Sequence, residues 1–219
     1  MPDMTLDQTF DAGLREHQAG NLADAEALYR QVLLADRDNA DALHLLGVLA
    51  LQAGQAEPAL VLINRAIAIK AAAAFFGNQG LVLAALGKWD EAIAAYRQAL
   101  KLSPDDVSRL DNLAVALREA GQLDEAQTLW DRAMQLRPDD PELHFNRSLA
   151  YLLAGDYGRG WAEYEWRWQS KHSAGLRRHG EIPRWSGEDL AGRTLLLHGE
   201  QGYGDALQFI RYTPLVKAR

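Results

Sequence analysis

The sequence contains no cysteine, few prolines and no long apolar run. Without cysteine, disulfide frameworks, thiolate metal sites and thiol catalysis are excluded. The longest apolar runs, such as residues 71–76, are far shorter than the roughly 18 residues that a membrane-spanning helix needs. The first ten residues carry Asp3 and Asp7 but no cationic start, so we expect no signal peptide. These absences predict a soluble, cytoplasmic protein.

Charge and tryptophan are unevenly distributed along the 219 residues. Residues 1–168 contain 15 Lys and Arg against 25 Asp and Glu, whereas residues 169–219 contain 8 against 5. The acidic body disfavours nucleic acid and anionic membrane surfaces as partners, because both are bound through cationic contacts. Four of the six tryptophans lie within residues 161–185. The composition therefore indicates that a segment of different composition begins near residue 160.

An internal repeat dominates the first three quarters of the chain. Glycines recur at spacings of 34, 33, 34 and 34 residues, and each is followed by a small residue and then a large one. The five sets are Gly20, Ala25 and Tyr29; Gly54, Ala59 and Ile63; Gly87, Ala92 and Tyr96; Gly121, Ala126 and Trp130; Gly155, Gly160 and Tyr164. The glycine predicts a left-handed residue that ends one helix, and the small residue lets the next helix approach it closely. Such helix pairs bury their apolar faces only by stacking into a solenoid.

This period and residue pattern resemble the tetratricopeptide repeat family. The resemblance implies an all-α, right-handed solenoid of about five helix pairs at residues 6–39, 40–72, 73–106, 107–140 and 141–168. The second unit is one residue short and closes at 69–74 with Ile-Lys followed by four alanines, which favours either a distorted turn or a helix that continues. The fifth unit has Gly160 and Arg167 where alanine is expected. It therefore resembles a terminal unit that caps the stack or docks on another body.

Asparagine recurs on the first helix of the last three units. Asn78, Asn112 and Asn146 are 34 residues apart at the sixth position, where the first two units have Asp11 and Leu45. Because asparagine offers both a donor and an acceptor, a ladder of this kind can pair with the backbone of an extended peptide. The pattern resembles the asparagine ladder of O-GlcNAc transferase-type enzymes. The alternative is that these amides hydrogen-bond the neighbouring repeat.

Two further positions bear on the groove that the first helices would line. The ninth position is apolar throughout and forms either a groove floor or an inter-repeat contact: Leu14, Val48, Leu81, Val115 and Leu149. The fifth position lacks the lysines and asparagines with which related repeats clamp a C-terminal carboxylate: Phe10, His44, Gly77, Asp111 and Phe145. The six histidines show no metal-ligand spacing. We therefore expect no metal and no cofactor.

The repeat pattern ends at residue 168. Residues 169–189 are predicted to be a linker, and residues 190–219 read as a βα unit with a strand at 194–198 and a helix at 206–219. The glycines of the intervening turn would let a phosphate approach the helix N-terminus: Gly199, Gly202 and Gly204. With the Arg-Trp-Ser-Gly motif at 184–187, this segment resembles bacterial glycosyltransferases that carry N-terminal tetratricopeptide repeats. The resemblance implies the start of a Rossmann-like lobe and makes Asp205 a candidate general base.

One strand cannot form a stable sheet, so residues 190–219 are predicted not to transfer sugar by themselves. We expect the chain to be a fragment whose final helix packs against the fifth unit. The leading hypothesis is a protein-interaction scaffold that binds an extended polypeptide partner or acceptor in its groove. One alternative places sugar transfer from a nucleotide-sugar donor in a domain absent from this chain. The other makes the repeats a self-association module that forms a homo-oligomer.

Overall fold

The computed structural model describes residues 4–170, 182–183, 185–197, 199 and 202–218, without the side chains of Tyr203 and Asp205. Residues 6–164 form five helix pairs, and each helix contacts the next one along the chain. The first helices of the pairs are α1 (Leu6–Gln18), α3 (Ala40–Gln52), α5 (Ala73–Ala85), α7 (Val107–Glu119) and α9 (Pro141–Leu153). The second helices are α2 (Leu22–Ala35), α4 (Ala56–Ile69), α6 (Trp89–Leu102), α8 (Leu123–Leu136) and α10 (Tyr157–Tyr164). The predicted all-α solenoid is confirmed.

The same turn ends the first helix of every pair. The five repeat glycines have φ values between +71° and +83°, the left-handed region that their spacing predicted: Gly20, Gly54, Gly87, Gly121 and Gly155. The N–H of the following residue donates to a carbonyl five residues earlier, as from Asn21 to Glu16 at 2.9 Å and from Gln122 to Leu117 at 2.8 Å. One local rule therefore reverses the chain five times at nearly the same interval.

Most junctions between pairs are capped by a side chain. Asn39, Asp106 and Asp140 each accept a hydrogen bond from a backbone N–H in the first turn of the following helix. The short second unit lacks such a cap, because Ala72 stands at that place. Its helix α4 nevertheless ends at Ile69, and Lys70 and Ala72 are extended before α5 begins. Of the two interpretations of this alanine-rich junction, the continuing helix is wrong, because residues 70–72 separate α4 from α5.

Within the first three pairs, a glycine on the first helix faces a large side chain on the second. A Cβ atom at Gly13 or Gly47 would lie within 2.8 Å of the side chain opposite. A Cβ at Gly80 would lie 2.5 Å from a ring carbon of Tyr96, whose side chain is buried. Only hydrogen fits at these positions, so the close approach of the helices depends on glycine.

We expect Gly80→Ala to be less stable than Gly77→Ala by about 1–3 kcal/mol, the usual cost of overpacking a core. Both glycines lie on α5, so both substitutions gain the same helix propensity of about 1 kcal/mol. They differ in what the new methyl group meets, because Gly77 faces the long side chain of Arg109 rather than a buried ring. Urea unfolding of both variants measures the difference, and equal stabilities would contradict it.

The fifth pair departs from the others. Helix α10 has 8 residues, whereas the other second helices have 14, and it continues into a 3-10 turn at Glu165–Gln169. A Cβ at Gly160 would lie 2.6 Å from a methyl group of Leu152 and 3.1 Å from its backbone nitrogen, so α10 approaches α9 more closely than alanine allows. The guanidinium of Arg167 lies 4.3 Å from the ring centroids of both Tyr164 and Trp168. These contacts explain both departures from the repeat pattern.

The Rossmann-like remnant is not formed in the described part of the chain. Residues 194–197 have no regular secondary structure, and no strand occurs anywhere among the described residues. The prediction of a strand at 194–198 is therefore wrong for these four residues, and His198 lies outside the described ones. The physical reason is that an extended segment becomes a strand only when a neighbour accepts and donates its backbone hydrogen bonds.

The final helix also differs from its prediction. It begins at Tyr203 rather than Ala206, and a 3-10 turn at Ile210–Tyr212 divides it into α11 (Tyr203–Phe209) and α12 (Thr213–Lys217). Of the apolar side chains expected to pack against the fifth unit, Leu207, Ile210 and Leu215 are exposed and Val216 is half-buried. The expected packing is therefore wrong for the three exposed side chains.

Candidate functional site

The first helices of the pairs lie on the inner side of the solenoid. Helix α3 contacts α5, α5 contacts α7 and α7 contacts α9. Among the described helices, the second members of successive pairs make no comparable contacts with one another. Consecutive first helices are therefore closer together than consecutive second helices. The side chains of the first helices that point away from the second helices line a concave groove.

The three predicted asparagines are half-buried in this groove, but their hydrogen bonds differ. The amide nitrogen of Asn78 lies 2.7 Å from His44 Nε2, and that of Asn146 donates to Asp111 Oδ2 at 2.9 Å. Both bonds join the fifth position of one unit to the sixth position of the next. For Asn112 the fifth residue of the preceding unit is Gly77, which has no side chain, and Asn112 makes no side-chain hydrogen bond to any described residue. Two amides thus join neighbouring repeats, and the third has no hydrogen-bond partner among the described side chains.

Arg109 replaces the missing bond between α5 and α7. Its Nε donates to the carbonyl of Ala73 at 3.3 Å, and its guanidinium pairs with Asp106. The side chain lies against Gly77, since a Cβ there would be 3.1 Å from Nε. The two helices are therefore held together without the Asn112 amide. Sequence reasoning assigned no role to Arg109, although a glycine at the fifth position was the available signal.

Asp111 joins the fourth unit to the fifth. Its carboxylate accepts from Trp130 Nε1 at 2.7 Å and from Asn146 Nδ2 at 2.9 Å. Burial raises the pKa of Asp111 to about 6, although both hydrogen bonds act to lower it. Trp130 is fully buried, so the carboxylate is the partner of a side chain that has no access to water. We interpret this group as a structural link.

His44 forms the corresponding link between the second and third units. Its ring stacks on Phe75 with the centroids 4.3 Å apart, and its Nε2 is bonded to Asn78. Burial lowers the pKa of His44 to about 4, so the ring is neutral near pH 7. His44 is therefore an uncharged member of this link between the repeats.

The apolar column of the ninth position runs along the same groove. Four of its members are half-buried and Leu81 is exposed. Val115 packs partly against the main hydrophobic core. The column therefore serves inter-repeat packing and still presents apolar surface next to Asn112.

One of the three predicted phosphate-binding glycines lies inside a helix rather than in the turn before it. Gly202 has a φ of +48° and precedes α11, whereas Gly204 lies within α11 and Gly199 lies outside it. The backbone of Asp205 belongs to α11, and its side chain lies outside the described atoms. Among the described residues, no group of three or more His, Asp or Glu side chains could hold a metal ion. In the same part of the chain, no helix combines the length and apolar character needed to cross a bilayer.

Comparison with known families decides what the solenoid is. A family model of the tetratricopeptide repeat matches residues 16–75 and 83–149. The chain belongs to the tetratricopeptide repeat family. Protein FlbA of Caulobacter vibrioides is 29% identical to this tetratricopeptide repeat chain over 194 residues, which cover 87% of the chain. The same alignment covers 33% of FlbA, so the chain spans about a third of the length of that relative.

Solved tetratricopeptide repeat structures share the fold. MamA superimposes with a TM-score of 0.64 at 18% identity, over 74% of this chain and 96% of MamA. YrrB, a tetratricopeptide repeat protein with an unusual peptide-binding site, superimposes with a TM-score of 0.64 at 17% identity. The match covers 81% of this chain and 92% of YrrB. PilF of Pseudomonas aeruginosa superimposes with a TM-score of 0.67 at 20% identity, over 78% of this chain and 79% of PilF. These likenesses confirm the repeat fold, and they lend no support to the glycosyltransferase context.

Proposed function

We propose that this chain is a protein-interaction module whose concave groove binds an extended polypeptide, with Asn112 as the central polar contact. Residues 6–168 would form the module, 169–189 a linker, and 190–219 a separate segment. The proposal rests on the difference in hydrogen bonding among the three asparagines. Two are bonded to the preceding repeat, whereas the Asn112 amide retains a donor and an acceptor.

The surroundings of Asn112 suit a peptide backbone. The exposed Leu81 and the half-buried Val115 supply apolar surface for side chains of an extended ligand. YrrB, which has a peptide-binding site, is built from the same repeat fold as this chain. Sugar transfer from a nucleotide-sugar donor has no comparable observation in its favour, because no described residues form the α/β lobe that it needs.

We expect Asn112→Ala to weaken peptide binding about tenfold, which corresponds to about 1.4 kcal/mol and is typical of a pair of lost hydrogen bonds. The probe is a set of fluorescein-labelled peptides of about ten residues, which reach about 33 Å when extended. Fluorescence anisotropy measures affinity, and urea unfolding measures stability. Because Asn112 has no hydrogen-bond partner among the described side chains, its loss should leave the unfolding free energy within about 0.5 kcal/mol of the wild type.

Asn146→Ala is the matched control. It breaks the bond to Asp111 and should lower the unfolding free energy by about 1–3 kcal/mol, as expected when a buried acceptor loses one donor. If Asn112→Ala binds peptides as well as the wild type does, the role of this amide is refuted. If the wild type binds none of the peptides, the proposed function itself is refuted.

A further inference from the structure

The hydrogen bonds between repeats fix which atom of each groove amide remains available. Asn146 is bonded to Asp111 Oδ2, and because a carboxylate oxygen accepts, the bonded atom of Asn146 is its nitrogen. The amide nitrogen of Asn78 is likewise bonded, at 2.7 Å to His44 Nε2. In both side chains Nδ2 is therefore directed to the preceding repeat, and the carbonyl oxygen on the other arm of the planar amide is left over.

These carbonyl oxygens are accessible in the groove. No described residue donates to Oδ1 of Asn78, Asn112 or Asn146. The three residues are half-buried, yet their Oδ1 atoms are not among the buried polar atoms that lack a partner, so these oxygens contact solvent. We term the three side chains the acceptor ladder. It presents one open hydrogen-bond acceptor in each of three consecutive repeats.

The donors beside the acceptor ladder are already engaged within the protein. The guanidinium of Arg109 pairs with Asp106. The guanidinium of Arg118 pairs with Glu119 at 2.7 Å and donates to the backbone carbonyl of Asn146 at 3.3 Å. This part of the groove therefore combines bonded donors with open acceptors, and it suits a ligand that brings its own donors. Every non-proline residue of a polypeptide carries one such donor, its backbone N–H.

The spacing of the acceptor ladder selects among the extended conformations of a polypeptide. Helix α5 contacts α7 and α7 contacts α9, and the axes of packed helices lie about 8–10 Å apart. A β-strand brings equivalent groups to the same side about every 6.7 Å, because its groups alternate and it rises about 3.3 Å per residue. A polyproline II chain does so about every 9.3 Å, since it has three residues per turn and rises about 3.1 Å per residue. The second period matches one acceptor per repeat.

We propose that the acceptor ladder binds a polypeptide segment in the polyproline II conformation and accepts the backbone N–H of every third ligand residue. The inference rests on the proposed function, because it concerns the same groove. The polyproline II backbone has no internal hydrogen bonds, so its N–H groups are free to donate. The two residues between contacted ones need no N–H and can be proline, which favours this conformation. The ligands that fit best are proline-rich segments with a non-proline residue at every third position.

A set of three labelled peptides separates recognition of the N–H groups from recognition of the conformation. Each has about twelve residues, which reach about 37 Å in the polyproline II conformation. Repeats of Pro-Pro-Ala carry an N–H at every third residue, repeats of Pro-Ala carry one at every second residue, and polyproline carries none. At a three-residue period, the Pro-Ala peptide presents alanine and proline in turn, so the acceptor ladder loses at least one of its contacts.

Fluorescence anisotropy with the full chain measures the three affinities. We expect Pro-Pro-Ala repeats to bind about fivefold more tightly than Pro-Ala repeats, which is typical of one lost hydrogen bond. We expect polyproline to bind at least about thirtyfold more weakly than Pro-Pro-Ala repeats, because all the N–H contacts are lost. Since Pro-Ala repeats carry more N–H groups than Pro-Pro-Ala repeats do, only the spacing of these groups can produce the first difference.

Asn112→Asp is the matched variant of the protein. It keeps oxygens that accept an N–H and removes the donors of the amide, whereas Asn112→Ala removes both. We expect Asn112→Asp to bind Pro-Pro-Ala repeats at least as tightly as the wild type does, because a charged acceptor forms the stronger hydrogen bond. Asn112→Ala should bind them about tenfold more weakly. Urea unfolding checks that both variants are folded.

Two results would overturn the proposal. If Pro-Ala repeats or polyproline bind as tightly as Pro-Pro-Ala repeats, the groove does not recognise N–H groups at a three-residue period. If Asn112→Asp binds as weakly as Asn112→Ala, the amide acts as a donor rather than as an acceptor. If the peptides that test the proposed function bind but Pro-Pro-Ala repeats do not, this proposal fails and the proposed function stands. If no peptide binds, both fail.

Discussion

Replacing Trp130 by alanine is expected to lower the free energy of unfolding by about 3–5 kcal/mol, the usual cost of deleting a buried tryptophan. Trp130 is the largest fully buried side chain and lies in the main hydrophobic cluster, which includes residues of α6, α7, α8 and α9. Its loss opens a cavity at the centre of this cluster. It also removes the donor to Asp111 Oδ1, so a buried carboxylate oxygen loses one of its partners. Chemical unfolding followed by circular dichroism measures the change.

Trp130→Phe separates the two contributions. Phenylalanine keeps most of the buried aromatic surface but lacks the indole N–H. Its loss of unfolding free energy therefore comes from the missing hydrogen bond to Asp111 and from a smaller loss of buried volume. We expect Trp130→Phe to cost less than Trp130→Ala but still at least about 1 kcal/mol. A phenylalanine variant as stable as the wild type would show that the Asp111 bond contributes nothing to stability.

The second large effect is a pH dependence of stability through Asp111. Burial raises the pKa of this carboxyl from its ordinary value near 3.8 to about 6 in the folded state. Between these values the folded protein binds more protons than the unfolded chain, so this group makes stability fall as pH rises from about 4 to about 6. The contribution amounts to about 3 kcal/mol, since one pKa unit corresponds to about 1.4 kcal/mol. It is fully present below pH 4 and lost above pH 6.

Asp111→Asn provides the comparison, because an amide does not titrate. The introduced amide can accept from Trp130 and, if the Asn146 amide turns over, donate to it, so the link between the repeats is preserved. Unfolding free energies of both proteins are measured from pH 4 to pH 7. We expect the difference between wild type and variant to change by about 3 kcal/mol across this range and to level off near its upper end. A difference that does not vary with pH would contradict the prediction.

Features set by neighbouring residues were predictable from the sequence. The left-handed turn at Gly121 and the N-cap at Asp140 each depend on a few consecutive residues, and their recurrence set the number and register of the pairs. The alanine-rich junction at 69–74 shows the limit of such reasoning. Alanine favours a continuous helix there, yet α4 ends at Ile69, because stacking of the pairs outweighs local propensity.

The role of each groove asparagine could not be read from its own position. Asn78, Asn112 and Asn146 stand at identical places in their units, but whether each amide is bonded to the preceding unit depends on the fifth residue of that unit. That residue is His44 for the first, Gly77 for the second and Asp111 for the third. The repeat pattern treats these positions as separate columns, and only stacking brings them within hydrogen-bond distance.

The stack of five helix pairs follows from the amino-acid sequence alone, because its period, turns and caps are local features repeated along the chain. Three other features depend on the folded arrangement: which groove amides are bonded to the preceding repeat, which large side chains of the last pair stay exposed, and the absence of a strand at residues 194–197. They share one cause. Hydrogen bonding and burial depend on what another part of the chain places opposite a residue, and no single repeat contains that information.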